Sequence, residues 1–449
     1  MNHRPRIVFI SCLGLMSICC QALAADTRRL TLAEAVQLAV SQNRALKIAR
    51  LKIVENEQKK AGARASYFPE IKNESNFLHT TAQEHIEIPR GAFGLVPNGG
   101  LVPNRDILID QGNQTFVTSG TTLAQPLTQL IRIRQANRIA ASEIATSRDE
   151  LKKAENEVAV RAHELYFGIL VARLQKRAAD QETTYAETRL RESEDDVRNG
   201  SALKVSTIES RAGLLQSQHS ALTAELQVSD LTTELNDLLG LPLNTPLELI
   251  PVETSSLEER THDEYLNIAY SENPEIKATS EAVERAKAGV TAAKSAYIPD
   301  VSVIARQSYQ NGVPFLVHNF GTFGLNLKYD VFDFGKRRAA VREREAQLAQ
   351  AQENFERLKE AVGVQIERSY NKLERAKHML KVANELVKLR AESERLAENQ
   401  MTQGVVLVSA RRQASAASYQ AEAALLQAQL AYLLSGAELE QAAGRTPGL

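Results

Sequence analysis

Side chains of the types that catalyse reactions or bind metals are scattered in this sequence. The eight histidines are spread over 449 residues, and no His-Glu-x-x-His, nucleophile motif or phosphate-binding loop occurs. Beyond the N-terminal region the methionines are Met379 and Met401, too few for a relay of thioether ligands to copper or silver. The sequence therefore predicts a protein that is not an enzyme and has no cofactor and no bound metal.

The three cysteines, Cys12, Cys19 and Cys20, all lie at the N-terminus. The segment around them begins with two arginines, continues in an apolar run too short to span a bilayer, and ends in a small-x-small cleavage site at Ala24. We expect residues 1–24 to be a signal peptide. The exported product then has no cysteine and uses no disulfide.

The composition favours narrow helix–helix contacts over a large hydrophobic core. Aromatic residues make up 5% of the chain, although 43% of its residues are hydrophobic. Because aromatic side chains bury the most area per residue, so few of them favour narrow, alanine-rich helix contacts and an extended shape. Acidic and basic residues are balanced, 55 against 54, so no nucleic-acid partner is expected.

The chain contains an internal duplication. At an offset of 230 residues, the helix start Thr31-x-x-Glu34 matches Thr261-x-x-Glu264, and the asparagine start at Asn43 matches Asn273. Farther along, the offset falls to 204. The difference, 26 residues, is inserted between Pro69 and Pro126, where the turn-rich stretch 89–100 predicts a long loop.

Each repeat resolves into the same elements. The first repeat covers 25–240, with a hairpin at about 69–127, a long helix at about 131–198 and a return helix at about 204–240. A linker, 241–260, leads to the second repeat, 261–436, with a hairpin at about 299–332, a long helix at about 333–402, a return helix at about 405–435 and then a tail, 437–449. Apolar residues recur in the long helices at steps of three and four, which is typical of coiled-coil seams.

The hairpin segments have the length of membrane strands. Residues 323–331 alternate apolar and polar without a fault, and 115–123 and 301–309 are weaker strand candidates. Each strand has about ten residues, as a tilted membrane strand needs. Four strands per chain cannot close a barrel, whereas three chains supply twelve. The predicted fold class is mostly α with four transmembrane strands per chain, assembled as a trimeric 12-stranded β-barrel with a long coiled-coil α-barrel.

Several of these residues resemble a known family. The helix start Asn273-Pro274-Glu275-Ile276, the Tyr-x-Pro before each first strand, Gln125-Pro126-Leu127, the run 329–337 and the glycines at the helix turns are similar to the TolC-type outer-membrane efflux proteins. The resemblance covers about residues 30–436. It implies a homotrimeric channel-tunnel in the outer membrane of a Gram-negative bacterium, extending into the periplasm. In that family the tunnel docks an inner-membrane transporter through a periplasmic adaptor (membrane fusion) protein and exports drugs or proteins.

The same resemblance assigns roles to two turns and to the residues after them. The periplasmic tips, which contact the adaptor, correspond to Asn199, Gly200 and Ser201 and to Gln403, Gly404 and Val405; glycine is also the default at any helix C-terminus. The lining of the periplasmic aperture corresponds to Ser206, Glu209, Ala410 and Gln413, of which only Glu209 carries a carboxylate. Arg411 lies beside them, and in a trimer a basic ring there favours anions.

Pro69, Pro126 and Pro299 are predicted to mark the junctions where the chain turns from helix into strand, because the residue before a proline is pushed out of the helical region.

Two other classes of protein share the coiled-coil seams. A periplasmic coiled-coil adaptor has one helical hairpin, flanked by glycine-rich β domains. A structural coiled-coil filament has no alternating ten-residue strands and no duplication of this kind. The passive export duct accounts for the strands, the signal and the repeat together.

Overall fold

The computed structural model describes residues 28–82, 85–97, 99–110, 112–252, 260–313, 317–405 and 407–447. The predicted signal peptide, 1–24, and residues 253–259 of the predicted linker lie outside them. The described chain is mostly helical, and its strands form one four-stranded sheet and two two-stranded sheets. No described helix combines the length and the apolar character that crossing a membrane requires.

The described helices and strands are numbered along the chain. The first half contains β1 (Arg28–Leu30), α1 (Leu32–Gln42), α2 (Arg44–Ala65), β2 (Glu70–His79), β3 (His85–Ile88), β4 (Ile107–Asp110), β5 (Thr115–Pro126), α3 (Leu130–Arg198) and α4 (Lys204–Leu238). The second half contains β6 (Leu247–Leu249), α5 (His262–Glu272), α6 (Pro274–Lys294), a 3-10 turn (Ser295–Tyr297), β7 (Asp300–Asn311), β8 (Asn319–Lys328), α7 (Lys336–Thr402) and α8 (Val408–Ala442).

Capping side chains fix where these helices begin. At α1 the Thr31 amide donates to a Glu34 carboxylate oxygen (2.9 Å), and the Glu34 amide donates to the Thr31 hydroxyl (3.2 Å). The same reciprocal cap opens α5. Asn43 and Asn273 cap α2 and α6 through their side-chain oxygens. Each of these caps satisfies amides that the first helical turn leaves without a partner.

The four long strands form one antiparallel sheet in the order β2-β5-β7-β8. Strand β8 begins at Asn319 and stops at Lys328, earlier than the alternation up to residue 331 predicts. The Arg337 guanidinium donates to the Asp330 carbonyl (2.7 Å). This carbonyl therefore stabilises the turn into α7 and does not pair with a neighbouring strand.

The inserted segment of the first half contains a small sheet of its own. The sequence predicts a long loop there, but β3 and β4 pair in antiparallel fashion on either side of the turn-rich stretch. The His85 ring and the Asp110 carboxylate, on paired residues, lie 2.6 Å apart. The turn signals mark the connection, whereas the short apolar runs beside it are long enough to pair.

Contacts divide the chain into two compact units, each containing parts of both repeats. The first comprises the described parts of 1–39, 162–254 and 389–423. In it β1 and β6 pair in parallel, and Tyr166 of α3 is fully buried against them. The Tyr166 hydroxyl donates to the carbonyls of Leu30 (2.9 Å) and Ile250 (2.6 Å), and burial raises its pKa to about 12.

The second unit comprises the described parts of 40–161, 255–388 and 424–449 and contains the four-stranded sheet. One of its hydrophobic clusters joins α5, α6, α7 and the end of α8, through Tyr265, Ala269, Ile276, Val362, Ile366, Leu439 and Ala443. Helix α8 therefore runs to Ala442, into the segment predicted as a tail, because Leu439 is fully buried in this cluster.

Candidate functional site

The two faces of the four-stranded sheet differ in charge. Successive residues of a strand point to opposite faces, so the strand register assigns every residue to one of them. One face, called here the polar face, carries all six charged residues of the four strands: Glu70, Lys72, Glu74, Asp300, Arg306 and Lys328. This segregation was missed in the sequence because it emerges only when the strands are placed in register.

The opposite face, called here the apolar face, exposes large hydrophobic side chains. Phe323 of β8 is 90% exposed, and Leu325 and Leu327 follow it on the same face. Ile71 and Phe77 of β2 are similarly exposed. A sheet that folds only within its own chain has no reason to expose so many large apolar side chains on one face, so this face indicates an apolar environment or a partner.

The sheet also has two unpaired edges. Among the described residues, β2 pairs only with β5, and β8 pairs only with β7. Each edge leaves a row of backbone amides and carbonyls without strand partners. Three antiparallel steps separate β2 from β8, so the two edges run in opposite directions.

The predicted junction residues lie where helix and strand meet. Pro69 immediately precedes β2 and Pro299 immediately precedes β7, whereas Pro126 is the last residue of β5. Thr128 connects the two repeats at this point: its hydroxyl donates to the Pro299 carbonyl (2.7 Å) and accepts from the Val301 amide (2.8 Å). Sequence reasoning identified the prolines but missed Thr128.

A second set of hydrogen bonds at a junction, called here the clamp, lies at the start of α7. It was not predicted from the sequence. The Asp333 carboxylate accepts from the amides of Gly335 (3.1 Å) and Arg337 (3.1 Å) and from the Arg337 side chain (2.6 Å). Partial burial raises the pKa of Asp333, but the hydrogen bonds from Arg337 and Gly335 outweigh it, so the pKa lies below its ordinary value. The Arg337 guanidinium also stacks on the rings of Tyr297 and Tyr329, 5.4 and 5.0 Å from their centroids.

Both predicted tip turns are Schellman motifs. At the first, Gly200 has a φ of 76°, its amide donates to the Val197 carbonyl (3.2 Å), and the Ser201 amide donates to the Asp196 carbonyl (2.9 Å). Asn199 precedes the glycine, and its amide donates to the Asp195 carbonyl (2.9 Å).

At the second turn, Gly404 has a φ of 73°, its amide donates to the Met401 carbonyl (2.9 Å), and the Val405 amide donates to the Gln400 carbonyl (2.9 Å). Gln403 precedes this glycine and is exposed. The shared geometry extends the duplication to the level of individual hydrogen bonds.

The two tips are connected and carry exposed apolar side chains. The Ser409 amide at the start of α8 donates to the Glu192 carboxylate of α3 (2.9 Å), which joins the two helical hairpins near their turns. Leu203 beside the first turn is 78% exposed, and Val405 and Leu407 are similarly exposed beside the second. These positions form the surface called here the tip patch.

The predicted aperture residues differ in their surroundings. Glu209, Ala410 and Gln413 are exposed, whereas the Ser206 hydroxyl donates to the Leu203 carbonyl (2.7 Å). Arg411 forms an ion pair with Glu398 of the same chain, which compensates its charge and weighs against a basic ring at this position. In the part of the chain that the structure describes, no cluster of three or more histidine, cysteine, aspartate or glutamate residues could hold a metal ion.

Comparison with known proteins gives both a sequence match and structural likenesses. Residues 265–445 match the family described as outer membrane efflux protein. The Campylobacter jejuni CmeC outer membrane channel is similar with a TM-score of 0.74 and 16% identity, over 92% of this chain and 85% of that one. No curated protein matches the sequence significantly.

Two further outer-membrane proteins share the fold. The outer membrane protein VceC from Vibrio cholerae has a TM-score of 0.71 and 15% identity, over 92% of this chain and 96% of that one. The open state of the Neisseria gonorrhoeae MtrE outer membrane channel has a TM-score of 0.66 and 16% identity, over 92% and 89%.

Proposed function

We propose that three copies of this chain form a channel-tunnel, a passive duct that exports cargo from the periplasm to the exterior, because residues 265–445 match the outer membrane efflux protein family and the chain shares its fold with outer-membrane channels. In this proposal the duct is the outer-membrane component of a tripartite efflux or type I secretion system. It docks an inner-membrane transporter through a periplasmic adaptor, and it catalyses no reaction.

The observation that carries the proposal is the four-stranded sheet with one charged face and two open edges. In lipid every backbone amide and carbonyl needs a partner, so an open sheet edge is not tolerated there. Because β2 and β8 run in opposite directions, β8 of one copy can pair with β2 of the next in the antiparallel sense that bacterial barrels use. Three copies then close a twelve-stranded barrel.

The two faces of the sheet agree with this closure. In a membrane barrel, lipid-facing and lumen-facing residues alternate along each strand. The apolar face, with Phe323, Leu325 and Leu327, suits lipid contact. The polar face then lines a water-filled lumen, where its six charged side chains remain hydrated.

A stripe on α4 supports the association of copies. Ile208, Leu215 and Leu222 recur every seven residues and are 66%, 61% and 67% exposed. Ser217 on the other side of the helix is buried. Helix α4 therefore packs one side within its own chain and presents an apolar heptad stripe on the other, as a helix does when a further helix completes a coiled coil.

The tip patch supports adaptor docking. Its exposed leucine and valine side chains lie beside turns that the Schellman hydrogen bonds hold in a defined shape. Such a patch suits the turn of a partner's helical hairpin, because apolar side chains on a preformed surface lose little conformational freedom on binding.

Two measurements test the proposed duct. Outer-membrane extracts are expected to contain heat-resistant trimers, and the purified protein is expected to conduct ions in planar bilayers. A soluble periplasmic monomer without conductance would contradict the duct and favour a coiled-coil adaptor or a structural coiled-coil protein.

Docking is tested separately with introduced cysteines. Ser201→Cys at a tip is expected to crosslink in cells to a protein with a coiled-coil hairpin, which mass spectrometry identifies. Ser220→Cys, on an exposed part of α4 away from the turns, is the matched control. Equal crosslinking from both positions would contradict docking at the tips.

A further inference from the structure

One charged residue of the polar face, Arg306, packs its side chain against a glycine of the neighbouring strand. Arg306 is the seventh of the twelve residues of β7, so it stands near the middle of the sheet. Its guanidinium lies across Gly120 of β5: a Cβ at Gly120 would be 2.8 Å from one guanidinium nitrogen and 3.0 Å from Nε. Gly120 is the one buried residue of β5, although glycine weakens a strand. The missing side chain is what lets the guanidinium rest on the sheet.

The neighbouring charges leave Arg306 without a partner. Lys72 forms an ion pair with Glu70 (2.9 Å), and Asp300 forms one with Arg132. Glu74 of β2 pairs in register with Gly120 on the same face, but among the described residues neither it nor any other carboxylate lies within ion-pair distance of Arg306. Its neighbours along the same register row of the polar face are the hydroxyl residues Thr122 and Thr322. A guanidinium with free donors beside hydroxyl groups is suited to an oxyanion.

We propose that Arg306, held on Gly120, forms an oxyanion-binding ring inside the barrel, which contacts phosphate or carboxylate groups of passing cargo. The inference rests on the proposed trimeric duct, which places three copies of Arg306 at one height of the lumen. Rings of basic side chains favour anions in pores. Because the guanidinium lies along the wall, the ring attracts anions without closing the passage.

Planar-bilayer recording of the full-length trimer tests the ring. Under a KCl gradient the wild-type pore is expected to prefer anions, and inorganic pyrophosphate is expected to reduce its current. Arg306→Gln is expected to weaken the pyrophosphate block at least about tenfold, because a charge-assisted hydrogen bond is lost. Arg306→Glu is expected to reverse the ion preference.

Two further variants separate a positioned site from charge alone. Gly120→Ala keeps the charge but displaces the guanidinium, so the pyrophosphate block is expected to weaken while the preference for anions remains. The double substitution Glu70→Gln with Lys72→Gln removes a neutral pair from the same face, and selectivity is expected to stay as in the wild type. Heat-resistant trimers on gels verify that each variant assembles.

The outcomes distinguish this inference from the function on which it rests. An Arg306→Gln pore with unchanged reversal potential and unchanged pyrophosphate block would overturn the oxyanion ring and leave the duct intact. A wild-type protein that forms no conducting pore would overturn the duct, and the ring with it.

Discussion

Substitution of Leu215 in the exposed stripe of α4 tests how the copies associate. Fully burying a leucine side chain contributes about 1.5–3 kcal/mol. Since Leu215 is 61% exposed in the isolated chain, an interface that covers it gains about 1–2 kcal/mol per copy. Three copies make the effect on the trimer about 3–6 kcal/mol, or two to four powers of ten in its association constant.

Leu215→Gln removes this contribution and places an amide in the seam. The temperature at which the trimer band converts to monomer on gels is expected to fall, and dilution in detergent is expected to dissociate the variant first. Ser220→Gln introduces the same side chain at an exposed position about 140° around the helix from Leu215 and is the matched control. Trimers of Leu215→Gln as heat-resistant as those of the control would refute the assignment of this stripe to an interface between copies.

Substitutions at three further positions probe hydrogen bonds within each chain. Tyr166→Phe is expected to lower the free energy of unfolding by about 1–3 kcal/mol, because buried carbonyls lose their donor; denaturation followed by circular dichroism measures the loss, and an unchanged midpoint would contradict it. Thr128→Val is expected to cost about 1–2 kcal/mol in the same assay, and Thr128→Ser should retain most of the stability if the hydroxyl is responsible. The lowered pKa of Asp333 means that its contribution is complete above the ordinary value of 3.8 and is lost as the pH falls through the lower folded value. Hydrogen exchange at the Arg337 amide should therefore accelerate only in acid in the wild type but already at neutral pH in Asp333→Asn; equal protection in both proteins would contradict the clamp.

Features that depend on near neighbours in the chain were predictable. The capping boxes at Thr31 and Thr261 and the asparagine caps form between residues three positions apart or fewer, so the side chain that decides the helix start is visible in the sequence. Helix-breaking prolines and tip glycines act in the same local way. The duplication then made each element of one half a prediction for the other.

Features that depend on register or on distant partners were not predictable. Arg306 and Gly120 are 186 positions apart, and their contact depends on the alignment of β5 with β7. The Thr128 link and the end of β8 likewise depend on residues of other elements. Helix α8 passes the predicted end because its last turns fill a cluster built from α5, α6 and α7, which periodicity within α8 cannot reveal.

Caps, helix breakers and periodicity are local and each appears twice, so they are enough to identify a duplicated helix-and-hairpin protein from its sequence. Which residues share a surface depends on how distant elements pair and pack. Strand register places all six charged residues of the four-stranded sheet on one face, and the packing of α4 leaves an apolar stripe exposed. The physical reason is that a side chain's face depends on the element paired beside it, and that element can come from anywhere in the chain.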